Sequence, residues 1–329
     1  MVTEKAVKRK LKELDKFLLA RYKKEFSFKR KNSPDYEKEF LKRIKLAIKN
    51  MNPLIEKATA RIKIIKEKGR PAKLNLKQKL TLILLKQLIG KSNRMMTYLL
   101  DIFFMAFGID ISYKTIERLY SDDEVRLALH NLCMIILKKK GVNEIDSCGD
   151  ATGYSLTIKT YYRDYAQKLK EKSKFSDDKK KIFAYKFALM DLSSKMYVCY
   201  GTSLKSEKDA YEKAMKMLKN TGIKIKSIRL DRYYSNPGDV NKFKGNKIYF
   251  IPKKNVTMQH GLFWNERLTE FVEDTFGYLK EYFKRNNSES GFAEDKKLLG
   301  WKITQKREDR IDMSILTKVV WRNLFHLYS

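Results

Sequence analysis

The hydrophobic pattern of this 329-residue chain changes near Val142. Before that point apolar residues recur at helical spacing, as in Leu11, Leu14 and Leu18, and prolines divide the first 75 residues into short helices. After it, short apolar runs predict β-strands that alternate with helices. This order excludes an all-helical and an all-strand fold. It predicts an α/β domain with a mixed sheet, preceded by a mostly α-helical region.

The second half of the chain divides into strands and helices by the same criteria. We expect strands at residues 144–156, 182–190, 195–203, 223–230 and 247–252, a helix at 206–220, and mainly helices from 266 onwards. The basic segment 163–181 is interpreted as a solvated loop. Together the patterns predict a basic helical N-terminal region (1–75), a helical domain (76–140) and an α/β domain (141–329).

The chain is strongly basic, since 72 Lys and Arg residues against 39 Asp and Glu residues give a formal net charge of +33. The positive charge is spread over both halves of the chain. A hydrophobic fraction of 43% and an aromatic fraction of 12% exclude a disordered basic tail, because such tails lack the residues that form a core. We therefore expect a folded protein whose partners are polyanions such as DNA.

Other classes of protein are excluded by what the sequence lacks. The three Cys and three His residues are scattered, without the spacing of a disulfide framework or a zinc site. The N-terminus is charged and shows no signal peptide, and the longest apolar stretches fall short of the roughly 20 residues of a membrane span. We expect a soluble, cytoplasmic, nucleoid-associated protein without a membrane partner or a small-molecule substrate.

Residues 93–120 fit a helix-turn-helix. A helix at 93–107 is followed by a glycine-containing turn, by Ser112 as a helix cap, and by a short basic helix that presents Lys114 and Arg118. Such a second helix can enter the major groove of DNA. The alternative is a pair of packed core helices, and the sequence leaves both interpretations open.

Two aspartates stand at the ends of predicted strand segments. Asp150 is expected to end one apolar-flanked strand, and Asp231 is expected to end another, the strand at 223–230. If these strands are neighbours, both carboxylates project into one crevice at the edge of the sheet. Carboxylate oxygens in such a crevice favour Mg²⁺. Taken singly, each aspartate would more simply be a turn or cap residue.

A third acid lies on a predicted helix together with three other functional side chains. Tyr282, Arg285, Glu289 and Lys296 are separated by three, four and seven residues, so they fall within a narrow arc of one helix face. The carboxylate can complete a metal site, and the other three can bind phosphates. The alternative is a solvated helix face with ordinary ion pairs.

These residues resemble a known family. The spacing of the four helix residues matches in full the Tyr-Arg-Glu-Lys signature of a large group of insertion-sequence transposases. Asp150 with Thr152 resembles the first motif of that family, and Asp231 with Tyr234 resembles its second. The motifs occur in the family's order, and the resemblance covers about residues 142–329.

The resemblance implies a ribonuclease-H-like catalytic core in which Asp150, Asp231 and Glu289 hold two Mg²⁺ ions, for which Mn²⁺ can substitute. The implied chemistry is in-line substitution at a phosphodiester: hydrolytic nicking at the ends of the element, then attack of the freed 3′-hydroxyl on target DNA. The other three signature residues would contact phosphates at the transposon end. Trp264 and Trp301 are candidates for stacking on a flipped base.

Two features depart from the family pattern. Many relatives carry a large β-rich insertion before the glutamate helix, whereas residues 253–281 have a helical pattern here. Glu294 is a rival for the third acid, but only Glu289 follows Arg285 at the four-residue spacing of the signature.

Three functions remain open at this stage. The leading one is a DNA transposase that binds element ends and target DNA as a homodimer. A ribonuclease-H-like nuclease that cuts without joining would need the same acids. A non-catalytic DNA-binding regulator would use only the helix-turn-helix.

Overall fold

The computed structural model describes residues 2–14, 20, 33–62, 73–97, 99, 101, 111–156 and 183–328. As expected, the described part of the first 140 residues is helical. Its helices are α1 (Glu4–Glu13), α2 (Ser33–Lys49), α3 (Met51–Thr59), α4 (Leu76–Ile89), α5 (Tyr113–Leu119) and α6 (Asp123–Lys139). None of the helices in the described ranges is long and apolar enough to cross a membrane.

The second half forms the predicted mixed sheet with flanking helices. Its strands are β1 (Glu144–Leu156), β2 (Phe183–Asp191), β3 (Tyr197–Ser203), β4 (Lys224–Leu230), β5 (Lys247–Tyr249) and β6 (Lys302–Ile303). Its helices are α7 (Glu207–Lys219), α8 (Pro237–Asn241), α9 (Leu262–Glu273), α10 (Thr275–Tyr282), α11 (Asn286–Leu299) and α12 (Glu308–Leu327). The predicted fifth strand is shorter than expected, and β6 is an addition to the prediction.

The sheet order is β3-β2-β1-β4-β5, and β6 pairs with the end of β1. Strands β1, β2 and β3 are antiparallel neighbours, whereas β4 and β5 continue the other side of β1 in parallel. Because β1 is central, side chains at its carboxyl half can meet groups from β4 and from helices on either face.

Helix α7 lies unusually close to the sheet at Gly201 of β3. A Cβ atom at Gly201 would stand 2.0 Å from the backbone oxygen of Ala210 and 2.6 Å from the nitrogen of Ala214. Any side chain at this position would therefore overlap the helix backbone. This close approach fixes the start of α7 at the carboxyl ends of the strands.

Helix α12 is buried along nearly its whole length and packs against α2, α4, α6 and β3. It therefore joins the helical half of the chain to the sheet. Buried apolar residues from α1 to α12 belong to one continuous core. The domain bounds at residues 75 and 140 stay a prediction.

The second helix of the predicted helix-turn-helix is present as α5. Ser112 caps it by accepting a hydrogen bond from the backbone N–H of Thr115, and Lys114 and Arg118 are exposed. Residues 93–97 are helical, but most of the remaining first helix and the turn lie outside the described residues, as does the basic segment 163–181. The helix-turn-helix therefore stays a prediction.

Candidate active site

Asp150 and Asp231 are brought to the same level of the sheet. In the parallel pairing of β1 with β4, Gly149 lies opposite Leu230. Asp150 and Asp231 are the next residues along these two neighbouring strands. The condition that the two strands be neighbours is therefore met. Asp150 does not end its strand, however, because β1 continues to Leu156 in antiparallel contact with β2. It is the pairing with β4 that ends there.

Glu289, on α11, is linked to Asp150 by Arg285, which bonds to both acids. One terminal nitrogen of Arg285, Nη1, donates to Oδ2 of Asp150 at 2.7 Å, and the other, Nη2, donates to Oε1 of Glu289 at 2.9 Å. The side chain of Arg285 is only 14% exposed, whereas that of Glu289 is 56% exposed. Two acids that are distant in the sequence thus share one guanidinium, on the side of the sheet where Asp231 stands.

The spacing of the signature residues predicts one uninterrupted helix face, but the structure shows an interruption. Tyr282 ends α10, a 3₁₀ turn at Phe283–Arg285 follows, and α11 begins at Asn286. A 3₁₀ turn advances each residue by about 120° instead of 100°, so it changes the direction of the side chains. Tyr282, before the turn, packs inward, whereas Arg285, at its end, bonds to Asp150.

Burial controls the charge of Asp150. Burial raises the pKa of Asp150 to about 6, and the negative charges of Asp231 and Glu289 act in the same direction. The guanidinium of Arg285 and the backbone N–H of Ala151, which donates to Oδ1 at 2.8 Å, oppose the increase. The carboxylates are therefore close enough to repel one another, and a cation among them is favoured.

Tyr282 is almost completely buried, and burial raises its pKa to about 12. The centre of its ring lies 5.9 Å from the guanidinium carbon of Arg285. Its side chain faces the interior, and contact of Tyr282 with a DNA phosphate stays a prediction. The ring of Tyr282 packs against the guanidinium of Arg285.

Lys296 lies further along α11, near the end of β1. Its ammonium donates to Oγ1 of Thr152 at 2.6 Å and stands 5.1 Å from the ring of Trp301 and 5.3 Å from the ring of Tyr154. The side chain of Trp301 is 64% exposed. Two residues beyond Asp150, the surface therefore carries a cation beside an exposed aromatic ring.

Trp264, one of the two candidates for base stacking, lies in the core of the protein. It is 2% exposed, its ring stacks on Phe250 at 5.3 Å, and its indole N–H donates to the backbone oxygen of Thr257 at 2.8 Å. A side chain held in this way is part of the core, and contact of Trp264 with DNA stays a prediction. Trp301 is the exposed one of the two candidates.

Glu294 faces away from Asp150 and belongs to a buried ion-pair network. It contacts Arg43 at 3.4 Å, Arg322 at 3.2 Å and His326 at 3.1 Å. Although burial alone would raise its pKa, the hydrogen bond with His326 and the charges of Arg322 and Arg43 lower it to about 2. The structure thus separates Glu294 from the aspartates and leaves Glu289 beside them.

A fourth acid near the site was missed in the sequence. Glu207 is the first residue of α7, one helical turn before Tyr211, whose ring lies 4.7 Å from that of Tyr234. Burial and the charge of Asp231 raise the pKa of Glu207. An acidic residue in the first turn of a helix is ordinary in a sequence, because it complements the helix dipole. Only the folding of α7 over the sheet reveals its position.

The donor chemistry of the site suits a hard divalent cation, because Asp150, Asp231 and Glu289 offer only carboxylate oxygens. Within the described ranges, no three Asp, Glu, His or Cys side chains are close enough together to hold a metal ion in this conformation. The guanidinium of Arg285 is instead the cation that Asp150 and Glu289 share. The residues fit the metal, provided that Arg285 moves.

A comparison with known proteins finds one close relative with a described role. The chain is 43% identical over 283 residues to a protein of Archaeoglobus fulgidus described as "Probable transposase for insertion sequence element ISA1214". The match covers 86% of this chain and 84% of that protein. No family model matches the chain, and no solved structure matches it. The extent and identity of this match show that the chain belongs to the insertion-sequence transposases.

Proposed function

We propose that this protein is a DNA transposase of the Asp-Asp-Glu type, with a ribonuclease-H-like core and the catalytic triad Asp150, Asp231 and Glu289. It binds the ends of its element and catalyses strand cleavage and strand transfer. The observation that carries the proposal is the shared guanidinium: Asp150 and Glu289 bond to the same Arg285, beside Asp231. Acids from a central strand and a helix thus share one cation, and Asp231 stands at the end of the neighbouring strand.

The fold supports this assignment. The antiparallel half of the sheet, β3-β2-β1, and its parallel half, β1-β4-β5, place the strand that carries Asp150 in the centre. The strand that ends at Asp231 lies directly beside it. Helix α11 then brings Glu289 over β1, with which it is in contact. The sheet therefore supplies the rigid elements on which catalytic groups have to be held.

The three carboxylates would hold two Mg²⁺ ions, which activate the attacking hydroxyl and stabilise the leaving oxygen of an in-line phosphodiester substitution when bound. Lys and Arg side chains of the protein position the DNA. Lys296, fixed by Thr152, can bind a DNA phosphate near the carboxylates, and the exposed ring of Trp301 beside it can stack on a base. Arg285 can bind a phosphate in bidentate fashion.

DNA binding outside the catalytic centre is assigned to the basic surface. The net charge of +33 favours association with polyanions. Lys114 and Arg118 are exposed on α5 and can reach a phosphate or a base edge. Strand transfer at two ends implies a dimer on DNA.

The proposal is tested with duplexes that carry the ends of the element from which the gene derives. Wild-type protein with Mg²⁺ or Mn²⁺ should nick these duplexes and join them to target DNA. Asp150→Asn, Asp231→Asn and Glu289→Gln should each abolish both reactions while end binding is retained. Glu144→Gln, at the exposed start of the same strand β1, is the matched control and should stay active.

The alternatives give different outcomes. Metal-dependent cleavage without joined products would identify a nuclease. Specific end binding without cleavage, unchanged in all the variants, would identify a non-catalytic regulator. Cleavage that persists in Asp150→Asn would show that the metal site lies elsewhere.

A further inference from the structure

We infer that Arg285 occupies the metal site in the DNA-free protein and leaves it when DNA binds, so that metal binding and DNA binding strengthen each other. This inference rests on the proposed function, since it assumes that Asp150 and Glu289 are metal ligands. It adds a role for Arg285 beyond contact with a phosphate: in the absence of DNA, Arg285 is the cation that keeps the carboxylates together and divalent ions out.

The first step is the strength of the contact. Arg285 uses both terminal nitrogens, one for Asp150 at 2.7 Å and one for Glu289 at 2.9 Å. Charge-assisted hydrogen bonds of this length are about twice as strong as neutral ones. The side chain is largely withdrawn from solvent, with 14% exposure, so the pair is screened far less than a surface ion pair.

The second step is that Arg285 and a metal ion exclude each other. A divalent cation held by Asp150 and Glu289 binds to their carboxylate oxygens. These two carboxylates also accept the hydrogen bonds of the guanidinium. Two cations at such a distance in a partly buried site also repel strongly. Metal entry therefore requires the guanidinium to withdraw, and its bonds must be broken before the ion can bind fully.

The third step is that the hydrogen bonding of Arg285 is incomplete. Its Nε atom is buried and has no hydrogen-bond partner among the described residues. A buried donor without a partner destabilises the arrangement that holds it. A phosphate group can accept two parallel hydrogen bonds from an arginine, and one of the two can come from Nε. The guanidinium thus gains from exchanging the carboxylates for a phosphate.

The fourth step is a route of exit. Glu289 is the more open of the two partners, since its side chain is 56% exposed whereas that of Asp150 is 16% exposed. Withdrawal toward Glu289 moves the guanidinium to the surface that faces solvent. A DNA phosphate on that side can hold the withdrawn guanidinium, which leaves the carboxylates free for the metal.

The consequence is reciprocal coupling. A phosphate that holds Arg285 away raises the affinity for metal, and by thermodynamic linkage a bound metal raises the affinity for DNA by the same factor. A protein with these properties carries little metal when it is free. Its carboxylates are loaded where the DNA end is, which limits nicking at other sites.

The test measures Mn²⁺ binding by electron paramagnetic resonance, without any reaction. In the absence of DNA, Arg285→Ala should bind Mn²⁺ about tenfold more tightly than wild type, which is within the usual range of coupling between sites. Arg285→Lys should be intermediate, because one ammonium cannot bridge both acids. Lys284→Ala is the matched control: it removes the neighbouring positive charge, whose described ion pair is with Glu281, and should not change the affinity.

The coupling is measured by repeating the Mn²⁺ titration with a duplex from the end of the element. The control is Asp150→Asn with the same duplex, which gives the Mn²⁺ bound by DNA alone. DNA should raise the Mn²⁺ affinity of wild type about tenfold and that of Arg285→Ala far less. If Arg285→Ala does not fold, Arg285→Lys makes the same comparison.

Two failures are distinguishable. Equal Mn²⁺ affinities of wild type, Arg285→Ala and Arg285→Lys, or an equal effect of DNA on all three, would overturn the inference while leaving the metal site intact. Unchanged Mn²⁺ binding in Asp150→Asn would overturn the proposed function itself, because the ion would then lie elsewhere.

Discussion

Glu289 and Glu294 lie five residues apart on α11, but they face different partners. Glu289 is largely exposed and bonds to Arg285 at the edge of the aspartate pair. Glu294 is on the opposite side of the helix, where Arg322 and His326 of α12 hold it in the interior. One helix thus carries an acid available for chemistry and an acid that joins two helices.

The two glutamates should therefore respond differently to the same substitution. Glu289→Gln should abolish strand cleavage and change the free energy of unfolding by less than about 0.5 kcal/mol, because the side chain is exposed. Glu294→Gln should lower the free energy of unfolding by about 3 kcal/mol, since it removes the largely buried carboxylate that pairs with Arg43 and Arg322. Cleavage assays and urea unfolding of both variants check this. Loss of cleavage in folded Glu294→Gln with an active Glu289→Gln would reverse the assignment.

The stabilisation by Glu294 should depend on pH. The pKa of this carboxyl group is lowered to about 2 by His326, Arg322 and Arg43, against the effect of burial. A carboxyl group with a lowered pKa stabilises the fold fully above the unfolded-state value near 4.5, and its contribution is lost as the pH falls through 2. Urea midpoints of wild type and Glu294→Gln should therefore differ most at pH 7 and converge as the pH falls below about 4.5. A difference that stays constant down to pH 3.5 would contradict this origin.

The close packing of α7 on β3 leads to a prediction about stability. Gly201→Ala places a methyl group on the backbone of Ala210, so the helix must shift, and the free energy of unfolding should fall by about 1–3 kcal/mol or more. Gly238→Ala is the control, because an added Cβ there meets only the side-chain oxygen of Asn236 at 3.4 Å. Urea unfolding should show at most a small change for Gly238→Ala. Similar midpoints for the two variants would show that the helix adapts.

Much of the fold could be predicted because local patterns decide it. The first strand, the hairpin of β2 and β3, and α7 with its Ser206 cap follow from alternation and capping. The neighbouring positions of Asp150 and Asp231 follow from the parallel pairing of their strands. These features depend on residues near one another in the chain or on simple sheet geometry.

Other features depend on long-range packing and could not be predicted. Trp264 becomes a core residue only because Phe250 and the backbone of Thr257 lie against it. Tyr282 and Arg285 point in different directions because a short 3₁₀ turn interrupts a run of residues with an even helical pattern. Glu207 lies near the aspartates only because α7 packs on the sheet. In each case the partner is distant in the sequence or the distortion leaves no mark on the hydrophobic pattern.

DNA binding should depend steeply on salt concentration. Each phosphate neutralised by the protein contributes about −0.9 to the slope of log K against log salt concentration. Lys114→Ala and Arg118→Ala should each reduce that slope by about 1 if the exposed face of α5 meets the backbone. Fluorescence anisotropy of a labelled end duplex at several salt concentrations checks this. An unchanged slope in both variants would remove α5 from the DNA interface.

The two tryptophans provide the last contrast. Trp264→Ala removes a buried ring and should lower the free energy of unfolding by about 3–5 kcal/mol. Trp301→Ala removes an exposed ring and should leave stability within about 0.5 kcal/mol of wild type. Because a base stacked on an aromatic ring contributes about 1–3 kcal/mol, Trp301→Ala should weaken binding of the transposon end or slow its cleavage, and Trp301→Phe should largely restore it.

Urea unfolding, anisotropy and single-turnover cleavage with these three variants check that contrast. Lys296 stays beside Thr152 in all of them, so a defect in Trp301→Ala that Trp301→Phe rescues belongs to the ring and not to the neighbouring ammonium. Full binding and cleavage by Trp301→Ala would exclude a stacking role for this residue. The exposed ring would then be incidental, and Lys296 alone would make the contact with DNA at this end of α11.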